Sequence, residues 1–289
     1  MDTAATTAST PANRDDPAKR SGGGVGAAWA LCRRELVRFL RQRNRVIGAI
    51  GTPIVFWLVL GLGLNRAFVA PGAEAGARGV GYLAYFFPGS GLLIVMFTAI
   101  FATIGVIEDR REGFLQGVMV APTPRWGIVA GKVLGGAILA AGQAGVFLLA
   151  WPLVVSQSAG VAMPNVETAT LAVAGVVLVS LELNAIGLAM AWPMTSTGGF
   201  HAIMNLLLMP AWLLSGAVFP LATAPAALQA VMWVNPLTYA HAAIAGPLLG
   251  DAGGGSVAAV SWPIAAGVTA VITVLAVLLA ARVAGRSGG

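Results

Sequence analysis

The uncharged stretch at residues 46–64, VIGAIGTPIVFWLVLGLGL, decides the fold because a collar of basic residues precedes it. The collar places eight Lys and Arg side chains within residues 19–45: Lys19, Arg20, Arg33, Arg34, Arg38, Arg41, Arg43 and Arg45. A helix needs about 20 apolar residues to cross a bilayer, and basic residues collect on the cytoplasmic side of such helices. The stretch therefore predicts a first membrane span that starts in the cytoplasm.

The composition of the whole chain predicts several spans. Of its 289 residues, 57% are hydrophobic and only 10% are charged, and the mean hydropathy is +0.83. A soluble domain carries about 25% charged residues. An all-α polytopic membrane protein is therefore expected. The net charge of +6 lies beside apolar runs, where it suits the anionic headgroups of a lipid bilayer, and no nucleic-acid partner is expected.

Five further apolar runs extend the prediction to six spans, at about 46–65, 82–107, 128–155, 168–193, 199–219 and 259–281. If the amino terminus is cytoplasmic, only Arg66 and Arg78 of the 17 Lys and Arg residues lie outside. The opposite orientation would invert that count, so both termini are expected in the cytoplasm of an integral inner-membrane protein. Four prolines interrupt 220–250, which predicts a re-entrant outer segment of two short half-helices.

The region before the first span is expected to have two parts. Residues 1–26 are predicted to form a disordered cytoplasmic tail, ahead of a transmembrane domain at 46–282. Residues 27–45 predict an amphipathic interfacial helix whose apolar stripe lies beside arginines; a solvated basic helix is the alternative. The stripe consists of Trp29, Cys32, Leu36, Phe39 and Leu40. Cys32 is the single cysteine, which excludes a disulfide within the chain.

The loop after the second span, EDRREGFLQGVMVAP at 108–122, is the most informative motif. Charges of both signs lead into a short amphipathic turn in which Phe114, Leu115, Val118 and Met119 share one face. An apolar face on a short cytoplasmic helix needs a cover. Lipid, the protein's own bundle or a groove on a partner could each provide it.

In these residues the chain resembles the type-2 permeases of ATP-binding cassette (ABC) transporters, the membrane subunits of bacterial drug, polysaccharide and lipid exporters. The resemblance rests on Glu-x-Arg-x-x-Gly at 108–113, then Leu115, Pro122 and Gly131-Lys132. Further matches are Pro88-Gly89, Pro210, Leu214-Ser215-Gly216, Phe219-Pro220, Pro225 and the run Asn-Pro-Leu-Thr-Tyr at 235–239. It covers roughly residues 30–282. The chain departs from the family in having Phe114 where Thr is frequent and Gln116 where Glu is frequent.

The resemblance implies a dimeric transmembrane domain, as a homodimer or with a second permease, powered by a separate nucleotide-binding ATPase subunit. The helix around 109–120 would be the coupling helix that enters a groove of that ATPase. The residues it assigns to coupling are Glu108, Arg111, Glu112, Gly113, Phe114, Leu115, Val118 and Met119. ATP would bind to the partner, so this chain is expected to be no enzyme and to hold no cofactor.

Gly127 to Val133 superficially matches a phosphate loop, but only three residues separate the glycines and Val133 follows the lysine. A structural role is expected instead. Gly131 and Gly135 predict close helix packing, and Lys132 is predicted to extend toward the membrane interface. His201 and His241, the only histidines, do not make a metal site.

Glu182, Asn184, His201 and Asn205 are polar residues within predicted spans, and they are candidates for a translocation path or for polar contacts within the bundle. Glu182 could line the substrate path or hold a proton. It could also be a neutral acid bonded to Ser180, Asn184 or a neighbouring helix.

Three functions are compatible with a polytopic membrane protein: an exporter subunit, a stand-alone secondary transporter that uses Glu182 for ion coupling, and a membrane enzyme. The enzyme would need clustered Asp, Glu or His near an interface, and the one acidic cluster, Glu108, Asp109 and Glu112, lies in the predicted coupling loop. The chain shows no large outer domain and has 8% aromatic residues, which favours a hydrophobic or amphipathic substrate, either drug-like or lipid-like.

Overall fold

The computed structural model describes residues 17–65, 81–120, 124–156, 161, 163–250 and 260–286. Within these ranges the chain is helical and contains no strand. The helices are α1 Pro17–Arg41, α2 Arg43–Leu64, α3 Tyr82–Arg111, α4 Phe114–Val120, α5 Arg125–Leu148, α6 Trp151–Ser156, α7 Val166–Ala191, α8 Thr197–Trp212, α9 Ala226–Val234, α10 Pro236–Leu249 and α11 Trp262–Arg286. A π-helical turn, Leu213–Ala217, extends α8.

Six helical segments are long and apolar enough to cross a membrane, which confirms the predicted number of spans. They are Arg43–Leu64, Tyr82–Arg111, Arg125–Val154, Val166–Ala191, Thr197–Ala217 and Trp262–Arg286. Each overlaps one predicted run. The chain is therefore an all-α polytopic membrane protein.

The central helix of the bundle is α3, which packs against α2, α5, α7, α8 and α10. Its apolar residues surround the helix on all sides, and Phe86, Leu93 and Ile100 are fully buried. A helix that is hydrophobic all round belongs in the interior, whereas α2 and α11 leave most of their apolar surface free for lipid.

Helix α1 packs along α5 through three glycines at helical spacing. A Cβ atom at Gly131 would lie 2.6 Å from the carbonyl oxygen of Ala28, and one at Gly127 would lie 2.8 Å from that of Gly24. At Gly135 it would come within 2.9 Å of the Glu35 side chain. The close-packing role predicted for Gly131 and Gly135 is confirmed, because only glycine lets the two backbones approach this closely.

Helix α1 begins at Pro17, so the expectation of a disordered tail is wrong for residues 17–26, while 1–16 lie outside the described residues. The contact between Gly24 and Gly127 shows why the helix extends this far: its first turns pack on α5. The predicted apolar stripe divides between two faces. Cys32 and Phe39 are buried, whereas Trp29 and Leu40 are exposed. That α1 lies in the membrane interface stays a prediction.

The proline-rich segment forms the two predicted short helices, α9 and α10. Asn235 joins them, accepts a hydrogen bond from the Leu237 N–H over 3.1 Å and donates to the Ala211 carbonyl over 2.6 Å. Gly216 bends the chain just before this hairpin with a φ of +87°. Most of α10 is covered by other helices, which is the condition for irregular backbone at membrane depth.

Candidate functional site

One end of the bundle carries a network of ion pairs that joins four helices. We call it the charge network, and its members are Arg34, Glu35, Arg38, Arg45, Glu108, Asp109, Glu112 and Lys132. Four are basic and four are acidic, so the network is neutral when all are ionised. It links α1, α2, the last turn of α3 and α5, and its end of the bundle is called the charged end below.

Lys132 lies at the centre of the network and does not extend toward the interface as predicted. Its side chain is 3% exposed, and its ammonium donates hydrogen bonds to Asp109 over 2.6 Å and to Glu35 over 2.7 Å. The glycines on either side draw α1 onto α5, so Glu35 is within reach. A buried ammonium is tolerated when carboxylates compensate its charge, and two of them do so here.

Asp109 receives donors from three basic side chains. Besides Lys132, Arg34 donates over 2.7 Å and 3.1 Å, and Arg38 donates over 2.5 Å. The Asp109 side chain is fully buried. A buried carboxylate is costly unless its oxygens are satisfied, so these contacts hold the end of α3 against α1 and α5.

The outer part of the network ties α2 to the same place. Glu108 accepts hydrogen bonds from Arg38 over 2.8 Å and from Arg45, which stands at the start of α2. Glu112 is mostly exposed and lies 3.6 Å from Arg38, so its ion pair contributes little.

Two ionisable groups on α1 show the effect of this environment. Burial acts to lower the pKa of Arg34, but its hydrogen bond to Asp109 and the nearby carboxylates outweigh that effect, so its pKa is raised. Burial raises the pKa of the Cys32 thiol, and the charge of Glu35 adds to the rise. Arg34 therefore stays cationic and Cys32 stays protonated at neutral pH.

Helix α4 is set by a turn at Gly113, whose φ is +75°. The N–H of Glu112 donates to the Glu108 carbonyl and that of Gly113 donates to the Arg110 carbonyl, which ends α3. The turn then places Phe114 beneath the guanidinium of Arg34, 3.7 Å from the ring centre. Arg34 thereby connects α4 to the buried Asp109.

The apolar face of α4 is partly covered by its own bundle. Leu115, predicted to face a partner, is only 2% exposed, while Phe114, Val118 and Met119 are half-buried against the core. Leu115 is covered by the protein's own helix bundle, and not by lipid or a partner, because the turn at Gly113 folds α4 back onto the bundle. Leu115 is therefore an anchor for α4, and a partner would meet the other side.

An open groove runs between α1 and α4 on that other side. Its walls are Ala27, Ala30, Leu31, Arg34, Phe114, Gly117 and Val118, and its volume is about 500 Å³. Gly117 is exposed, and a Cβ atom there would meet nothing within 4 Å. We call this feature the α1–α4 groove. It is apolar with one cationic group, a surface suited to an apolar or acidic side chain.

A second set of contacts braces the end of α3 from the opposite side. Arg111 donates to the Thr195 carbonyl over 2.9 Å, and Arg110 donates to the Met194 carbonyl over 3.3 Å. Both acceptors lie in the turn between α7 and α8. Arg111, predicted to contact an ATPase, thus also binds its own chain.

Three of the four predicted polar residues of the spans, Glu182, Asn184 and Asn205, have buried oxygen atoms without a hydrogen-bond partner in the described chain. Glu182 is fully buried, and within the described part of the chain neither of its carboxyl oxygens has a hydrogen-bond partner. The expected bond to Ser180 or Asn184 is therefore absent: Asn184 donates to the Ser180 backbone instead. The Asn184 amide oxygen lies against Gly136 of α5.

The other two candidates lie on α8. His201 stacks on Phe101 of α3 with ring centres 5.7 Å apart, and Asn205 is half-buried. Among the described residues, no group of three His, Cys, Asp or Glu side chains could hold a metal ion.

Sequence reasoning named only Glu108 and Glu112 of the charge network as site residues, and Glu35 is the clearest omission. It shares a helix face with the buried residues Leu31, Cys32 and Phe39, and it is the one acid among the arginines of α1. That isolated acid on the inward face, together with a lysine between two packing glycines on α5, was the available signal.

Comparison with known proteins gives a consistent result. A family model described as ABC-2 type transporter matches residues 26–249. The "Probable multidrug ABC transporter permease YbhR" of Escherichia coli (strain K12) is 29% identical over 153 residues, 51% of this chain and 39% of that protein. The protein of the same name from Escherichia coli O157:H7 gives the same values. The matched part thus spans about two fifths of the length of these curated relatives.

Proposed function

The chain belongs to the ABC-2 type transporter family, and on that premise we propose that it is the membrane-spanning permease subunit of an ATP-driven exporter. A separate ATPase subunit supplies the energy, and the permease acts as a dimer. The substrate is hydrophobic or amphipathic. The name of the E. coli relatives, a probable multidrug permease, supports this substrate class.

The observation that carries the proposal is the placement of α4. It lies beyond the last turn of a membrane-spanning helix, is anchored by Leu115 and Arg34, and presents an open groove beside α1. An apolar groove that no described residue covers suits a side chain of another protein. We infer that the ATPase subunit docks at the α1–α4 groove.

The basic residues support a cytoplasmic location for the charged end. Arg34, Arg38 and Arg45 lie there in the charge network, and Arg125 joins α5 to the end of α11 through the Gly285 carbonyl. Positive residues favour the cytoplasmic side. An ATPase in the cytoplasm would then face the groove.

The same contacts provide a route for force. Closure of two ATPase subunits would push α4, and the contact of Phe114 with Arg34 would pass the displacement to Asp109 at the end of α3. Lys132 would carry it into α5, and Arg111 would carry it to the turn before α8. Tightly paired charges transmit displacement because separating them leaves a buried charge uncompensated.

A second candidate function is a stand-alone secondary transporter. The observation that favours it is Glu182, a buried acid without a hydrogen-bond partner in the described chain. A carboxyl group of this kind within a membrane is a candidate proton site.

The deciding experiment is a pull-down from mild detergent, in which the tagged permease is expressed together with its neighbouring genes and the eluate is tested for an ATPase subunit. Gly117→Trp introduces a large side chain at the wall of the groove, and its Cβ atom would meet nothing within 4 Å. Gly198→Trp is the matched control, an equally open glycine at the start of α8. We expect the ATPase to co-purify with wild type and control, and its recovery to fall at least about tenfold with Gly117→Trp, the effect of about 1.4 kcal/mol of binding energy.

Leu115→Asp is unsuitable here because Leu115 is buried and its loss would disturb the fold. ATPase recovery with Gly117→Trp that equals the recovery with the wild type would refute docking at the groove. A permease that purifies alone and transports under a proton gradient without ATP would refute the exporter assignment and support the role of Glu182.

A further inference from the structure

A lateral cleft lies between α5, α6 and α7, at the end of the bundle opposite the charge network. Its volume is about 230 Å³, and its walls include Gly145, Leu148, Trp151, Val173, Val176 and Leu248. Among the described residues, none that lines it carries a charged side chain. The proposed coupling route does not use it.

The depth of the cleft follows from the helix that forms one wall. It reaches from the first turns of α7 to Val177, eleven residues beyond the start of the helix. At 1.5 Å per residue this is about 16 Å, roughly half of the 30 Å hydrocarbon thickness. The cleft therefore occupies a single leaflet, which is the outer one in the proposed orientation.

The mouth of the cleft opens sideways, toward the membrane. Leu149, Val173 and Val177 line it and are also exposed on the surface of the bundle. Trp151 forms the floor, where its ring packs on Phe87 of α3 with centres 5.3 Å apart and is 1% exposed. A ligand could thus enter from the bilayer along its whole length and rest on a rigid floor.

We propose that this cleft binds one acyl chain of a glycerolipid from that leaflet. Its volume is below the approximately 300–1,000 Å³ of sites that enclose a drug-sized molecule, so a narrow ligand fits better. The described lining is uncharged and suits an acyl chain, whereas the headgroup would lie beyond the helix ends. The chain would run parallel to α7, as the lipids around it do.

The expected preference is moderate. Lipid tails are as apolar as leucine, so moving a chain from the bilayer into the cleft gains nothing from the hydrophobic effect. The gain comes from van der Waals contact with the walls of the cleft, which is small for each pair of atoms. We expect the cleft to be occupied several-fold more often than an equally exposed site elsewhere.

Two glycines of α5 provide a matched test. Gly145 lines the cleft and Gly142 does not, yet a Cβ atom at either would meet nothing within 4 Å. A helical side chain leans toward the amino-terminal turn, so Phe at 145 would lie over Ala141 inside the cleft, and Phe at 142 would lie farther from it. Both variants should elute like the wild type in size-exclusion chromatography and keep its helix content in circular dichroism.

The experiment uses the full chain in vesicles of phosphatidylethanolamine and phosphatidylglycerol that contain phosphatidylcholine with a diazirine on one acyl chain. After irradiation, labelled peptides are quantified by mass spectrometry. We expect at least about threefold more adduct on Val173 and Val177 than on Leu278 and Leu279, which are similarly exposed on α11. Gly145→Phe should remove that excess, whereas Gly142→Phe should keep it.

Equal labelling of α7 and α11 in the wild type would overturn the proposal, as would an equal loss in both variants. Displacement of the label by micromolar tetraphenylphosphonium would also overturn it, because the cleft would then hold a transported compound and not a lipid chain. Failure of ATPase docking at the α1–α4 groove would leave these outcomes unchanged, since the cleft lies at the opposite end of the bundle.

Discussion

The ammonium group of Lys132 donates a hydrogen bond over 2.6 Å to the carboxylate of Asp109, which joins the start of the third span to the end of the second. Both side chains are almost completely buried. Because Lys132 also binds Glu35, the same ammonium fixes α1 to both spans. Helix α1, which precedes the first span, is thus bound to the interior of the helix bundle through Glu35.

Removal of this ammonium should destabilise the protein. Lys132→Met keeps the length of the side chain but leaves Glu35 and Asp109 without a cation between them. Breaking a buried ion pair on one side costs about 3–5 kcal/mol, so we expect the midpoint of thermal unfolding in detergent to fall by about 5–10 °C. Arg33→Met is the control, since Arg33 is exposed on α1, the helix that carries Glu35, and it should shift the midpoint by no more than about 1–2 °C.

The cause can be isolated with a double-mutant cycle. Glu35→Gln removes the carboxylate that loses its cation, so Glu35→Gln combined with Lys132→Met should cost less than the sum of the two single changes, by about 1 kcal/mol or more. Strict additivity would show that the 2.7 Å contact between these residues contributes nothing to stability.

The spans could be predicted from the sequence because a bilayer imposes a length and a polarity on each crossing segment. The apolar run at 46–64 and the five later apolar runs each satisfy that constraint in one continuous stretch of sequence. Close packing at Gly131 and Gly135 was predictable for a similar reason, since the pattern lies on one helix.

The sequence marks Glu35 and Lys132 as unusual, but the pairing of charges within the network could not be predicted because its partners are distant in sequence. Glu35, Asp109 and Lys132 meet only when three helices are placed together, and an isolated lysine near a span end more often extends to the interface. The same limit applies to Leu115, whose burial depends on the turn at Gly113. Side-chain partners follow from tertiary packing, which no local pattern specifies.

Packing of α1 on α5 can be tested with the single thiol as reporter. Cys32 is 2% exposed on the α1 face that meets α5, so we expect slow maleimide labelling in the native protein. Gly131→Leu places a Cβ atom 2.6 Å from the Ala28 carbonyl oxygen and should displace α1, raising the labelling rate at least about tenfold. Gly142→Leu introduces the same side chain into open space and should label like the wild type. Equal rates in the two variants would show that the glycine contact does not hold α1.

The labelling rate should also depend on pH in a way that reports the environment of Cys32. Burial raises the pKa of this thiol and the Glu35 carboxylate raises it further. Because the thiolate is the reactive form and a raised pKa moves its formation to higher pH, the native rate should still be climbing at the pH of about 8.5 where an ordinary thiol is half ionised. The protein unfolded in dodecyl sulfate should level off near that pH. A native rate that levels off at or below pH 8.5 would contradict the raised pKa.

Substitution of Glu182 should distinguish a structural role of this acid from a role in ion coupling. Its carboxyl group is fully buried and unpartnered within the described chain, and an ionised group at that depth costs several kcal/mol. We therefore expect Glu182→Gln, which keeps the shape without the charge, to retain transport within about twofold in vesicles that contain the ATPase subunit. Glu182→Lys introduces a cation that cannot escape and should abolish folded expression. Complete loss of transport in Glu182→Gln at wild-type expression and unfolding midpoint would mean that ionisation of this acid takes part in the transport cycle.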